Sequence, residues 1–98
     1  MTDLENIIND PNFCLKVLLT DFAKAIGTRA ETVKIWFKGW QFGRCVNTNV
    51  FTKDTVVTFD SITYRRMRDF LASRDRSTCR TNYSAGFKQL TLKKINKN

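Results

Sequence analysis

Leu19-Thr20-Asp21-Phe22-Ala23-Lys24-Ala25-Ile26-Gly27-Thr28-Arg29-Ala30-Glu31-Thr32-Val33-Lys34-Ile35-Trp36-Phe37-Lys38 is the stretch on which the reading of this chain turns. Phe22, Ala23 and Ile26 fall at i, i+1 and i+4, which places them on one face of a short helix. Gly27 follows the last of them, where a residue past a helix end often takes the left-handed backbone that glycine adopts without steric cost. Thr28-x-x-Glu31 has the spacing of a capping box, in which each side chain satisfies a free N–H of the first turn, so a second helix is expected to open at Thr28. Val33, Trp36 and Phe37 then repeat at i, i+3 and i+4 and face the first helix, which leaves Arg29, Lys34 and Lys38 on the outside. The expected product is a pair of short helices across a tight turn, apolar between them and basic on the outer side.

This pattern resembles the helix-turn-helix of bacterial and phage repressors and excisionases. There the order is apolar-Ala-x-x-apolar-Gly, five further residues, a β-branched residue, and a large apolar residue three positions on. Phe22, Ala23, Ile26, Gly27, Val33 and Trp36 occupy those slots here. The resemblance implies binding of double-stranded DNA, with 28–38 as a recognition helix in the major groove and its N-terminal residues nearest the bases. On that reading Arg29 bonds guanine O6 and N7 together, Glu31 either accepts from cytosine N4 or serves the cap, and Lys34 and Ile35 follow one turn later, Ile35 against a thymine methyl. Ala30 belongs to the same set of candidate contacts. Thr20, Thr28, Lys38, Lys53, Arg65, Arg66 and Arg68 are the candidates for phosphate, which sets register without reading sequence, and Arg44 is a further candidate DNA contact.

Composition bounds the alternatives. Ninety-eight residues make one domain, and a domain near this size buries about 60 to 65% of its unfolded surface. Eight Phe, two Trp and two Tyr supply the bulk for a single core. No run of roughly 18 apolar residues is present for a membrane span, and Asp3, Glu5 and Asp10 oppose a secretory leader, so a soluble, cytoplasmic protein with no membrane association is expected. Cys14, Cys45 and Cys79 are odd in number and widely spaced, and the chain has no histidine, so neither a disulfide framework nor a zinc site is expected. Cys14 and Cys45 are expected to be buried, reduced thiols. Without histidine the commonest general base at neutral pH is missing, and Gly27, Gly39, Gly43 and Gly86 are too scattered for a phosphate loop. The chain is therefore read as a non-enzyme that needs neither cofactor nor metal.

The net charge of +8 is unevenly spread. Residues 1–27 carry two basic against four acidic side chains, residues 28–50 four against one, and residues 51–98 eleven against four. The positive field thus begins at the candidate recognition helix and strengthens beyond it. A basic surface alone suits any solvated small protein; together with the helix-turn-helix pattern it suits a phosphate backbone.

Outside the motif the signals are coarser. Thr2-x-x-Glu5 followed by Leu4, Ile7 and Ile8 predicts a short helix, and Asp10-Pro11 reads as a cap and first turn for a helix through Phe13, Cys14, Val17 and Leu18. Thr20 is the expected cap of the motif's first helix. Gly39 and Gly43 bracket Trp40-Gln41-Phe42, whose rings are expected to cover the core. Cys45 to Thr52 and Thr55 to Phe59 alternate and are rich in Val, Thr and Phe, which predicts a hairpin with Lys53-Asp54 at its tip. A helix from Asp60 or Ser61 to Ser73 should then bury Tyr64, Met67, Phe70 and Leu71 and present Arg65, Arg66 and Arg68.

This order resembles the compact winged domains of excisionases and of the DNA-reading half of MerR-type regulators, over roughly residues 19–73. It implies a mostly α fold with a small β-hairpin, a winged helix-turn-helix domain over 1–73 with Lys53 on the wing, and a basic C-terminal extension over 74–98. The long coiled coil by which MerR-type regulators pair is missing, so a sensor role is not implied. Val33 to Phe37 also resembles the third helix of homeodomains, but Gly39 stands where that family has Asn, and the likeness is set aside. In the extension Ser77-Thr78, Asn82, Ser84 and Gly86 read as breakers, and Phe87, Leu90, Leu92 and Ile95 form one short amphipathic element, either a strand or a helical turn. That segment is either an arm along DNA or a contact to a second protomer or another protein.

The function expected from sequence is specific binding of double-stranded DNA by a small phage- or plasmid-type regulator of transcription or recombination, acting as a homodimer or side by side. The competing class is an interaction protein that uses the same fold to bind and inhibit another protein. An RNA-binding role would require Trp40, Phe42 and Tyr83 to be exposed.

Overall fold

The computed structural model describes residues 4–78 and 82–95. Cys79, Thr2, Asp3 and the Asn96-Lys97-Asn98 end lie outside the described residues. The chain order is α1 (Leu4–Ile8), β1 (Cys14–Leu18), α2 (Leu19–Ile26), α3 (Ala30–Lys38), a 3-10 turn at Gly43–Cys45, β2 (Val56–Asp60), α4 (Ser61–Thr78) and α5 (Tyr83–Ile95). The fold is mostly helical with one small antiparallel sheet, as expected, but the strands are not the expected pair.

Residues 14–18 are a strand, not a helix. Asp10 does not cap a helix: its Oδ1 accepts from the Asn12 N–H (2.8 Å) and its carbonyl accepts from the Phe13 N–H (2.9 Å), which closes a turn instead. The strand that follows buries Leu15 and Val17 and exposes Cys14 and Lys16. It pairs with β2 in the register Leu15↔Phe59 and Val17↔Val57, so four apolar side chains from two distant segments meet on one inner face. Residues 45–52, expected as the first strand of a hairpin, pair with nothing in this sheet. Their threonines satisfy the backbone locally. The Thr48 hydroxyl donates to the Val50 carbonyl (3.1 Å), and its Oγ1 accepts from the Val50 N–H (3.0 Å). Thr55 Oγ1 accepts from the Thr52 N–H (2.8 Å). Such bonds compete with a strand ladder. The turn at Lys53-Asp54 is present, but it leads from this irregular loop into β2.

The junction between α2 and α3 follows the sequence reading in part. Gly27 sits at φ +83°, and its N–H bonds the Lys24 carbonyl (3.2 Å) while the Thr28 N–H bonds the Ala23 carbonyl (2.9 Å), a Schellman closure of α2. Thr28 is thereby held at the end of α2, and the expected capping box with Glu31 does not form. α3 starts at Ala30 with extended Arg29 as its cap and no side-chain cap bond. Thr20 likewise is not a cap, because β1 runs straight into α2 at Leu18. A reciprocal cap of this type forms at α4 instead: Asp60 Oδ1 accepts from the Thr63 N–H (2.8 Å), and Thr63 Oγ1 accepts from the Asp60 N–H (2.8 Å).

Phe22 of α2 is the hub of the core. Its ring meets Phe37 of α3 at 5.7 Å and Phe87 of α5 at 5.4 Å, both edge to face. α4 buries Tyr64, Met67 and Leu71 as expected and runs on past Ser73 to Thr78. α5 resolves the choice left open for residues 87–95 in favour of a helix, and it is part of the common core, with Phe87 buried and Tyr64 stacked on it at 4.5 Å. Gly86 is not a breaker. A Cβ there would overlap the Ala25 carbonyl oxygen and lie 2.9 Å from Ile26 Cα, so α5 crosses α2 at van der Waals closeness only because this position is glycine. Asp75 of α4 caps the start of α5, its Oδ1 accepting from the Tyr83 N–H (2.7 Å) and its Oδ2 from the Ser84 N–H (3.1 Å).

Candidate nucleic-acid interface

α3 is fastened by one side and free on the other. Val33 and Phe37 are buried, while Glu31, Lys34, Ile35 and Lys38, at i, i+3, i+4 and i+7, occupy the opposite stripe. Glu31 and Lys38 are exposed, Lys34 is half-buried, and Ile35 is 69% exposed. Arg29 precedes the helix and is exposed; Thr28 and Ala30 are half-buried, Ala30 against the core. Glu31 in the first turn and Lys38 in the last agree with the helix dipole. The Lys38 ammonium also lies 5.7 Å from the Phe51 ring centroid, which steers it toward the 46–55 loop.

The phosphate candidates are dispersed around this face. Lys53 is exposed in the turn before β2, and that turn is tied to the start of α2 by the Leu19 N–H bonding the Thr55 carbonyl (2.8 Å). Thr20 is half-buried in the first turn of α2. Arg65 and Arg66 are exposed on α4. Arg44 and Arg68 have partners within the chain: Arg44 lies 3.7 Å from the Asp60 carboxylate, and Arg68 donates to Glu5 at 2.7 Å, fastening α1 to α4. Exposed pairs of this kind hold their charges weakly. Thr63, with Arg44 behind it, holds the Asp60 carboxyl below its ordinary range, backbone and side-chain hydrogen bonds from Thr63 being the main cause.

Trp40 departs from its expected role. It is 88% exposed, whereas Phe42 two residues on is buried, so the 39–42 loop covers the core with one ring and presents the other. Tyr83 is half-buried against Trp36. The exposed trio that an RNA-binding role would require is therefore not formed. Trp36, one turn earlier, packs on Phe70 at 5.0 Å under the Arg74 guanidinium. A protruding Trp40 has no signal in residue spacing, because Gly39 and Gly43 leave the direction of the loop undefined.

The two described thiols are not a site. Cys14, expected to be buried, is exposed on the outer face of β1, and burial pushes the Cys45 thiol up to about 11, which leaves it protonated and unreactive at neutral pH. Among the described residues no group of three or more His, Cys, Asp or Glu side chains gathers as a metal site would require. No helix among them is long and apolar enough to cross a membrane. Comparison with known proteins finds no matching family model, no similar curated protein and no similar solved structure.

Proposed function

We propose that this protein binds double-stranded DNA sequence-specifically as a small regulator of transcription or recombination, with α2 and α3 as a helix-turn-helix and α3 in the major groove. The observation that carries the reading is the stripe of α3 that faces away from its buried side: Glu31, Lys34, Ile35 and Lys38 stand opposite Val33 and Phe37, behind an exposed Arg29. An α-helix presented in this way fits the width of the major groove. The order α1, β1, α2, α3, loop, β2 supports a winged arrangement in which the irregular loop 46–55 and Lys53 take the place of a regular hairpin. A chain charge of +8 supports a polyanionic partner.

In this proposal Arg29 reads a guanine, Lys34 and Ile35 contact the next bases, and Lys38, Lys53, Arg65 and Arg66 hold phosphates. Arg44 and Arg68 are secondary, because each already has a carboxylate partner. With roughly five phosphates neutralised, log affinity falls by about 4 to 5 units per tenfold rise in salt. The test is selection from a random duplex library at about physiological salt, followed by binding of variants to the recovered site. Recovery of a motif supports the proposal, and a palindromic or tandem motif reveals a dimer or side-by-side assembly through half-site spacing. Arg29→Ala should relax specificity at one base pair, and Lys53→Ala should weaken all sequences alike. Binding without enrichment, or no binding, would overturn specific readout, and the second result would favour a protein partner.

A further inference from the structure

Trp40 is the largest apolar group left in water, and the clefts beside it carry one cation, Arg66, and one carboxylate, Asp69. The ring protrudes from the 39–42 loop between two shallow clefts. One, of about 190 Å³, is shared with Ile35 on the outer stripe of α3; the other, of about 490 Å³, separates Trp40 from Arg66 on α4. The exposed surface therefore continues from the outer face of α3, over Ile35 and Trp40, to Arg66. Among the described residues no other ring contacts Trp40, whereas Trp36 and Phe42 are both engaged with Phe70. An indole 88% exposed, with Arg66 across one cleft on a chain of charge +8, complements an anionic partner that also offers flat π surfaces. A nucleic acid has both properties.

We propose that Trp40 stacks on an unpaired base at the edge of the bound duplex, with Arg66 across the cleft contacting the adjoining phosphate. The proposal rests on the duplex-binding reading and adds a preference to it. In an intact B-form duplex each base face is covered by its neighbours, so a protruding ring gains a stacking partner only where the stack is open, at a gap, a flap or a mispaired step. The protein is thereby a binder of duplexes interrupted near the sequence that α3 reads.

The experiment compares the native chain and Trp40→Ala on a labelled duplex of about 20 base pairs, two helical turns, intact and with a short gap placed at successive positions. The native chain should bind the best gapped duplex about 5- to 100-fold more tightly than the intact one, the range that stacking of one base supplies. Trp40→Ala should lose that preference and keep its melting temperature and its affinity for the intact duplex, and Trp40→Phe should restore part of the preference. In a Trp36→Phe chain Trp40 is the sole tryptophan, and its emission should be quenched by the gapped duplex. Equal affinity for gapped and intact duplexes, or a preference that survives Trp40→Ala, would overturn the proposal. If intact duplex still binds and Arg29→Ala still relaxes specificity, only the Trp40 contact has failed. If no duplex binds at all, the DNA reading and the Trp40 contact fail together.

Discussion

Where α5 crosses α2, Gly86 lets two backbones touch, Thr91 and Tyr64 share a buried hydrogen bond, and Asp75 holds the first amides of α5. On the outer stripe of α3, by contrast, Ile35 stands mostly in water and Lys34 and Lys38 reach past the core. The first region spends polar and small residues on geometry that tolerates no change. The second turns apolar and charged residues outward, with Lys38 over the Phe51 ring as the one internal contact the described structure gives them. The difference teaches where stability and recognition are separable in a chain this small: substitutions at the crossing should act on folding, and substitutions on the stripe should act on binding alone.

Gly86→Ala is the strongest way to break that division. The new methyl meets main chain, which cannot swing aside as a side chain would. A cost of about 3 kcal/mol or more is expected, which lowers Tm by roughly 12 to 24 °C or prevents folding. Circular dichroism on heating reads this directly. A Tm unchanged by Gly86→Ala would show that α5 does not cross α2 at this distance.

Thr91→Val comes next. Thr91 donates to the Phe87 carbonyl (2.8 Å), so the Tyr64 hydroxyl must donate to Thr91 Oγ1 (2.6 Å). Valine fills the same volume but leaves the Tyr64 hydroxyl buried without an acceptor, for a loss of about 1 to 3 kcal/mol. Adding Tyr64→Phe should recover part of that loss, and chemical denaturation of the single and double variants measures the coupling.

Asp75→Ala should cost about 1 kcal/mol by uncapping α5. Hydrogen exchange at the Tyr83 and Ser84 amides should accelerate, with α3 unaffected.

Asp60 gives the division a pH signature. Its carboxyl is held below the ordinary range in the folded chain, so its contribution is present at neutral pH and is lost as pH falls through the folded-state pKa. Asp60→Asn should be less stable at neutral pH, and its deficit should begin to narrow below about pH 4, where the unfolded chain's carboxyl takes up its proton, and close as pH falls further through the depressed folded-state pKa. Thermal melts of both chains across pH 2.5 to 7, roughly the span over which carboxylates titrate, provide the check.

The smallest expected effect lies on the stripe. Lys34→Ala and Ile35→Ala should each leave stability within about 0.5 kcal/mol while reducing affinity for a selected duplex. A large loss of stability from either would place these side chains in the packing and remove the basis for reading α3 as an exposed recognition element.

The α2–α3 pair was legible because its signals are local: an apolar period of about 3.6 residues in Phe22, Ala23 and Ile26, then in Val33 and Phe37, with Gly27 between. The same locality explains the errors. Thr28-x-x-Glu31 has cap spacing, yet the Schellman closure of α2 claimed Thr28 first. Asp60 and Thr63, with the same reciprocal chemistry at the same spacing, do form a cap: β2 ends there, Oδ1 takes the Thr63 N–H, and Arg44 approaches only Oδ2. Of the candidate contacts, Lys34, Ile35 and Lys38 are positioned together by one helix, as their spacing requires, with Arg29 as the extended residue before it. Arg44 and Arg68 were recognisable as basic, but their partners Asp60 and Glu5 come from other elements.

Sequence by itself determined which segments are helical on either side of Gly27, the outward stripe of α3, the inward face of α4 and the basic character of the C-terminal half. Those properties follow from periodicity, backbone preference and charge, which act over a few residues. The tertiary structure decided that residues 14–18 are a strand, that β2 takes β1 rather than residues 45–52 as its partner, that residues 83–95 form a core helix, and that Trp40 rather than Phe42 faces water. In each case the deciding contact joins residues far apart in the chain or selects the direction of a loop. Free energy of that kind comes from shared burial, which no local pattern records.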